Sequence, residues 1–171
     1  MNKRQKKIRK IAFLGLCTAV ALLLSYVEAL VPPIYAAVPG IKLGLPNIAI
    51  IFVLYNFGTR DAAAVSFVRI LIVSLLFGNT MTLAYSFAGA LLSLAVMSIL
   101  KKLDFLSGIG VSVAGGVCHN LGQVLVAMLL LDTAEIGYYM IILAVTGTIS
   151  GIFVGLCGNF IIKRLSTNKL Q

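Results

Sequence analysis

Three groups of residues in this sequence have side chains able to do chemistry, and all of them lie within or beside long apolar runs. Arg69 stands near the middle of the apolar stretch 62–77. A guanidinium keeps its proton throughout the ordinary pH range, and an ionisable group at membrane depth costs about 2.5–3.5 kcal/mol on insertion scales. Arg69 therefore serves either as an anchor for an acidic ligand group or as a side chain captured by neighbouring helix ends. The second group is His119, Asn120 and Gln123, with Gly122 between them. Spacings of three and four residues gather these donors and acceptors on one side of a helix, and glycine lets another group approach closely. A polar ligand or an interhelical hydrogen bond would use them equally well. The third group, Tyr26, Glu28, Tyr35, Asn79 and Tyr85, falls at segment ends, where interfacial belts also favour tyrosine. Lys42 is placed to pair with Glu28 or with a ligand.

Other chemistry is missing. No Gly-x-x-x-x-Gly-Lys-Ser/Thr run occurs, so the chain carries no phosphate loop. Asp61, Asp104 and Asp132 stand singly, whereas magnesium-assisted chemistry on a diphosphate wants carboxylates in a cluster. One histidine and three isolated cysteines, Cys17, Cys118 and Cys157, give no metal-ligand spacing. The sequence leads us to expect a chain that is not an enzyme and has neither cofactor nor metal.

The elements that must position these residues are membrane helices. Of 171 residues, 60% are hydrophobic and 11% charged, against roughly 25% charged in soluble domains. The net charge of +9 would suit nucleic acid, but the basic residues flank apolar spans and read as topology signals instead. Charged and turn residues divide the chain into six apolar segments, 11–30, 47–57, 62–77, 81–100, 109–131 and 138–162. Period-two alternation is absent, so helices rather than a barrel satisfy the backbone. The expected fold is an all-α integral membrane protein, a six-transmembrane-helix bundle between basic tails at 1–10 and 163–171. Arg60, Lys101, Lys102 and both tails fall on one side, which the positive-inside rule makes the cytoplasmic side of the cell membrane. The segment 31–46, with Pro32, Pro33, Pro39 and Pro46, then lies outside as a stiffened loop.

Small residues recur at helical spacing. Gly147, Gly151 and Gly155 do so on the sixth segment, and Ala21, Ser25 and Ala29, with Gly15 and Ala19, on the first. Such stripes permit close helix contact, either within the bundle or with another membrane protein.

The run from Pro39 and Gly40 through Lys42 to Asn47, then Arg69, then His119 to Gln123, resembles the Gx transporter family, also labelled heptaprenyl diphosphate synthase component I. That family is distantly similar to the substrate-binding S components of energy-coupling factor (ECF) transporters. The resemblance implies an S-component-like bundle with an outward pocket capped by a lid containing Pro32, Pro33, Tyr35, Pro39 and Gly40. It implies a transmembrane coupling subunit with ATPases as partner. On this reading Glu28, Lys42, Asn47, Arg69, Asn79, His119, Asn120 and Gln123 bind a small molecule for uptake. The synthase label implies instead an accessory subunit of polyprenyl diphosphate synthesis, and a quinone- or flavin-linked redox component is a third reading.

Overall fold

The computed structural model describes residues 2–30, 44–132 and 134–164. Among these residues the chain forms six α-helices and one short 3-10 turn, with no strand. The first helix, α1 (Lys3–Leu30), already starts within the basic run. The tail expected at 1–10 is thus largely helical, as lysine, arginine and glutamine allow. Lys10 bridges to Asp61 at 2.7 Å, which fastens this basic end to the start of α3 (Thr59–Phe77). At the other end Tyr26 packs on Phe77, with ring centroids 5.6 Å apart. The two contacts together make α1 and α3 run parallel.

Local chemistry sets the helix ends. Gly58 precedes α3 with φ 100°, a conformation that a Cβ disfavours. Asn79 caps α4 (Thr80–Leu103), its Oδ1 accepting from the Thr82 amide at 2.8 Å. Ser107 caps α5 (Gly108–Leu131) by accepting from the Gly110 amide at 3.3 Å. Asp104 and Asp132 close α4 and α5 in the left-handed region, at φ 50° and 48°, which aspartate tolerates better than most residues. The 3-10 turn Ala134–Tyr139 then leads into α6 (Met140–Arg164).

Four stretches are long and apolar enough to cross a membrane: Lys3–Leu30, Thr80–Leu103, Gly108–Leu131 and Ala134–Arg164. The other two helices fall short of the expected six spans, for different reasons. α3 has 19 residues but carries Arg60, Asp61 and Arg69. α2 (Asn47–Asn56) has 10 residues, about 15 Å at helical rise. Every residue from Ala49 to Leu54 in α2 is buried, so it is apolar all round because protein surrounds it. Its last carbonyls would be orphaned there, and Lys101 reaches across from α4 to donate to Leu54 O at 2.6 Å. Phe13 of α1 packs between Phe52 and Phe57, 6.1 and 5.5 Å from their ring centroids.

α5 lies between α4 and α6 and makes the closest contacts in the bundle. A Cβ on Gly151 would come 2.6 Å from Val113 Cα, and one on Gly122 would come 2.7 Å from Ala88 O. Backbones approach this closely only where side chains are missing. This corrects the docking reading of the sixth segment: Gly147, Gly151 and Gly155 face α5 within the chain. Ala21 and Ser25 are buried as well, which leaves Gly15, Ala19 and Ala29 exposed on α1.

Replacing Gly151 with leucine should therefore lower unfolding stability in detergent by about 1–3 kcal/mol through overpacking. Gly15→Leu, where a Cβ meets nothing within 4 Å, should leave the melting temperature near that of the parent. Thermal melts followed by circular dichroism compare the two.

Candidate functional site

Arg69 lines a cavity of about 250 Å³ enclosed by α1, α3 and α4. Its surroundings follow from helical spacing. On α1, Ser25 and Glu28 are three residues apart and share a face; on α4, Thr82 and Ser86 are four apart and do the same. Ser74 adds a hydroxyl from α3, while Ile70 and Phe77 supply apolar wall. The space thus combines one guanidinium, one carboxylate and several hydroxyls inside an otherwise apolar bundle.

The hydrogen bonding shows what this wall can offer. Ser25 Oγ donates to Ala21 O at 2.8 Å, and Thr82 Oγ1 donates to Asn79 Oδ1 at 3.0 Å. Both hydroxyls commit their proton locally and keep lone pairs available. Arg69 Nε is buried and has no hydrogen-bond partner among the described residues, a costly condition for a polar group. Glu28 lines the same cavity and is the carboxylate that attracts the guanidinium. It also accepts a hydrogen bond from the Gly44 amide, so the residue where the described chain resumes is held against α1. A ligand here meets a strong donor in Arg69 and acceptors in Glu28 and the hydroxyls.

The remaining candidates lie elsewhere. Asn79 is the α4 cap, next to Gly78 and Thr82 of the cavity wall. Asn47 borders a separate space of about 10 Å³ among α2, α4, α5 and α6, room for about one water. The polar group on α5 is split between two neighbours. Asn120 is buried and donates to Leu143 O of α6 at 2.7 Å, whereas His119 and Gln123 pack on Gly89 of α4. None of these three lines the Arg69 cavity. The expectation of one interior space shared by Arg69 and His119 is corrected accordingly, because close packing at Gly89 and Gly122 fills the region between α4 and α5. Lys42, Pro32, Pro33, Tyr35, Pro39 and Gly40 lie outside the described residues.

Sequence reasoning missed Ser74, Thr82 and Ser86 as cavity residues and gave Ser25 a packing role. The four-residue spacing of Thr82 and Ser86 was an available signal, as was the three-residue spacing of Ser25 and Glu28.

A helical membrane protein with a polar cavity set among its helices is the class these features define. The chain belongs to the heptaprenyl diphosphate synthase component I family, whose model matches residues 17–161. Searches of curated proteins and of solved structures give no match.

If Asn120 serves helix contact alone, Asn120→Ala should cost about 0.6–1.7 kcal/mol, the range for interhelical hydrogen bonds in membranes. Anion binding at the Arg69 cavity, which Asn120 does not line, should not respond to that substitution. A stability titration and a binding isotherm on one preparation check both halves.

Proposed function

We propose that this chain is a non-catalytic membrane subunit in polyprenyl diphosphate synthesis, which holds a phosphate-bearing ligand at Arg69 while a separate chain makes the bonds. The observation that carries this reading is the buried Arg69 Nε, unpartnered in a polar cavity. Phosphate oxygens satisfy such a donor with charge-assisted hydrogen bonds. The family description supports the choice of pathway.

The positions of the carboxylates support the absence of catalysis. Asp61 is bound to Lys10, Asp104 and Asp132 close helices, and Glu28 holds Gly44. Among the described residues no three His, Cys, Asp or Glu side chains come together in the way that a magnesium-bound diphosphate favours.

A second reading, capture of a polar molecule for uptake with an energising partner, draws support from one contact. Glu28 ties the cavity to Gly44, a residue near the end of the proline-rich segment 31–46 expected to act as a lid. Polyprenyl diphosphate output and small-molecule uptake, compared in cells with and without the chain, separate the two readings. Loss of uptake with unchanged prenyl products would favour the second.

Binding of inorganic diphosphate to the full chain in phosphatidylcholine nanodiscs tests the site directly. Arg69→Gln should weaken it by about tenfold or more, the usual scale for losing a charge-assisted contact. Glu28→Gln keeps an acceptor for Gly44 but removes a like charge, so it should tighten diphosphate binding severalfold. A ligand carrying positive charge would show the opposite response to Glu28→Gln. Isotherms insensitive to both substitutions would sink the proposal.

A further inference from the structure

α3 and α4 enclose a second space, an apolar groove of about 370 Å³. Phe67 and Phe87 line it and meet edge to face, with ring centroids 6.1 Å apart. They are 48% and 44% exposed, and Leu91 on the α4 wall is 63% exposed. The groove therefore opens sideways, on a flank of the bundle that meets hydrocarbon. Arg69 is not among its residues, so what fills it is independent of the diphosphate reading.

Extent and charge together select the occupant. The α3 wall runs from Ala63 to Ile70. Arg60 stands three and four residues before Ala63 and Ala64, on the same face of the helix. From Arg60 to Ile70 the helix rises about 15 Å, the depth of one leaflet in a hydrocarbon core roughly 30 Å thick. A second membrane helix would need a face that crosses both leaflets; a chain hanging from a headgroup needs one. The rim of the groove is positive. Arg60 is exposed, and its neighbour Asp61 pairs with Lys10 at 2.7 Å instead. Lys102 is exposed three turns beyond Leu91, on the same face of α4, whereas Lys101 is committed to Leu54 O. Even with Asp104 at the α4 cap, Arg60 and Lys102 leave this end a net cation. A zwitterionic headgroup would bring a further positive group here, and an anionic one would not.

We propose that the groove is a lipid site, holding one acyl chain of an anionic phospholipid whose phosphate meets Arg60 at the rim. The guanidinium offers forked donors that match phosphate oxygens. The second chain of the same lipid stays in the bilayer, as the sideways opening allows.

The test uses the full chain in nanodiscs of phosphatidylcholine with a minor share of phosphatidylglycerol of the same chain length. After transfer to mild detergent, native mass spectrometry counts the phospholipids kept by each protein. The parent should keep phosphatidylglycerol, enriched about fivefold or more over its share of the bilayer, the scale set by one basic residue at an anionic surface. Arg60→Gln should return the ratio to that of the bilayer, while Lys6→Gln, outside the groove, should leave it enriched. Ala90→Phe fills the groove and should remove the retained lipid. Ala63→Phe should do so from the α3 side if Ala90→Phe does not fold. Retention without preference between headgroups overturns the anionic assignment. Phosphatidylglycerol that survives both phenylalanine substitutions is held by the basic helix ends at large and overturns the groove. A parent that leaves the bilayer without lipid overturns the site altogether, and one that leaves as a dimer that Ala90→Phe splits gives the groove to a second copy.

Discussion

A guanidinium that cannot shed its proton, placed within an apolar helix bundle, is the constraint around which this structure is organised. Left against hydrocarbon, Arg69 would cost several kcal/mol. The fold answers with α1 and α4, which bring Glu28 and a set of hydroxyls to the same space. The parallel course of α1 and α3 is part of that answer. Lys10 and Asp61 fix one end of the pair and Tyr26 and Phe77 the other, and this brings Glu28 to the C-terminal end of α3.

The rest of the bundle is built by a different rule, close packing without charge. Glycines on α4, α5 and α6 remove the side chains that would hold backbones apart. The space among α2, α4, α5 and α6 in this tight half holds about one water. Both larger spaces lie along α3, the helix whose charges keep it from reading as a simple span. The polarity that makes α3 a poor membrane helix is the same polarity that leaves a cavity worth lining.

Much of this was legible in the residues. Apolar runs broken by charges and turn residues marked an all-helical chain, and Gly58 at positive φ and the Asn79 cap are plain signs of helix ends. Arg69 stood out because its cost in lipid does not depend on context. His119, Asn120 and Gln123 misled for a reason equally physical. Three- and four-residue spacing places side chains on one side of a helix, yet a helix between two neighbours has two contact faces within that side. Asn120 turned to α6, and His119 with Gln123 to α4. The glycine stripe on α6 was similarly ambiguous, since the spacing that suits an external partner also suits α5. Only the packing order, which sequence periodicity does not encode, separates these cases. The length of α2 carried its own message: 10 residues are too few to cross, and so apolar a helix is stable only inside protein.

The burial of α2 bears on how the cavity stays open. A short helix enclosed on all sides must have its terminal carbonyls satisfied by protein, and Lys101 does so from α4. The same helix begins three residues after Gly44, whose amide is held by Glu28. α2 is thus pinned at one end by a cation from α4 and, through Gly44, at the other by the carboxylate that balances Arg69. Glu28 in this way joins the wall of the Arg69 cavity to the segment that leads into the buried helix.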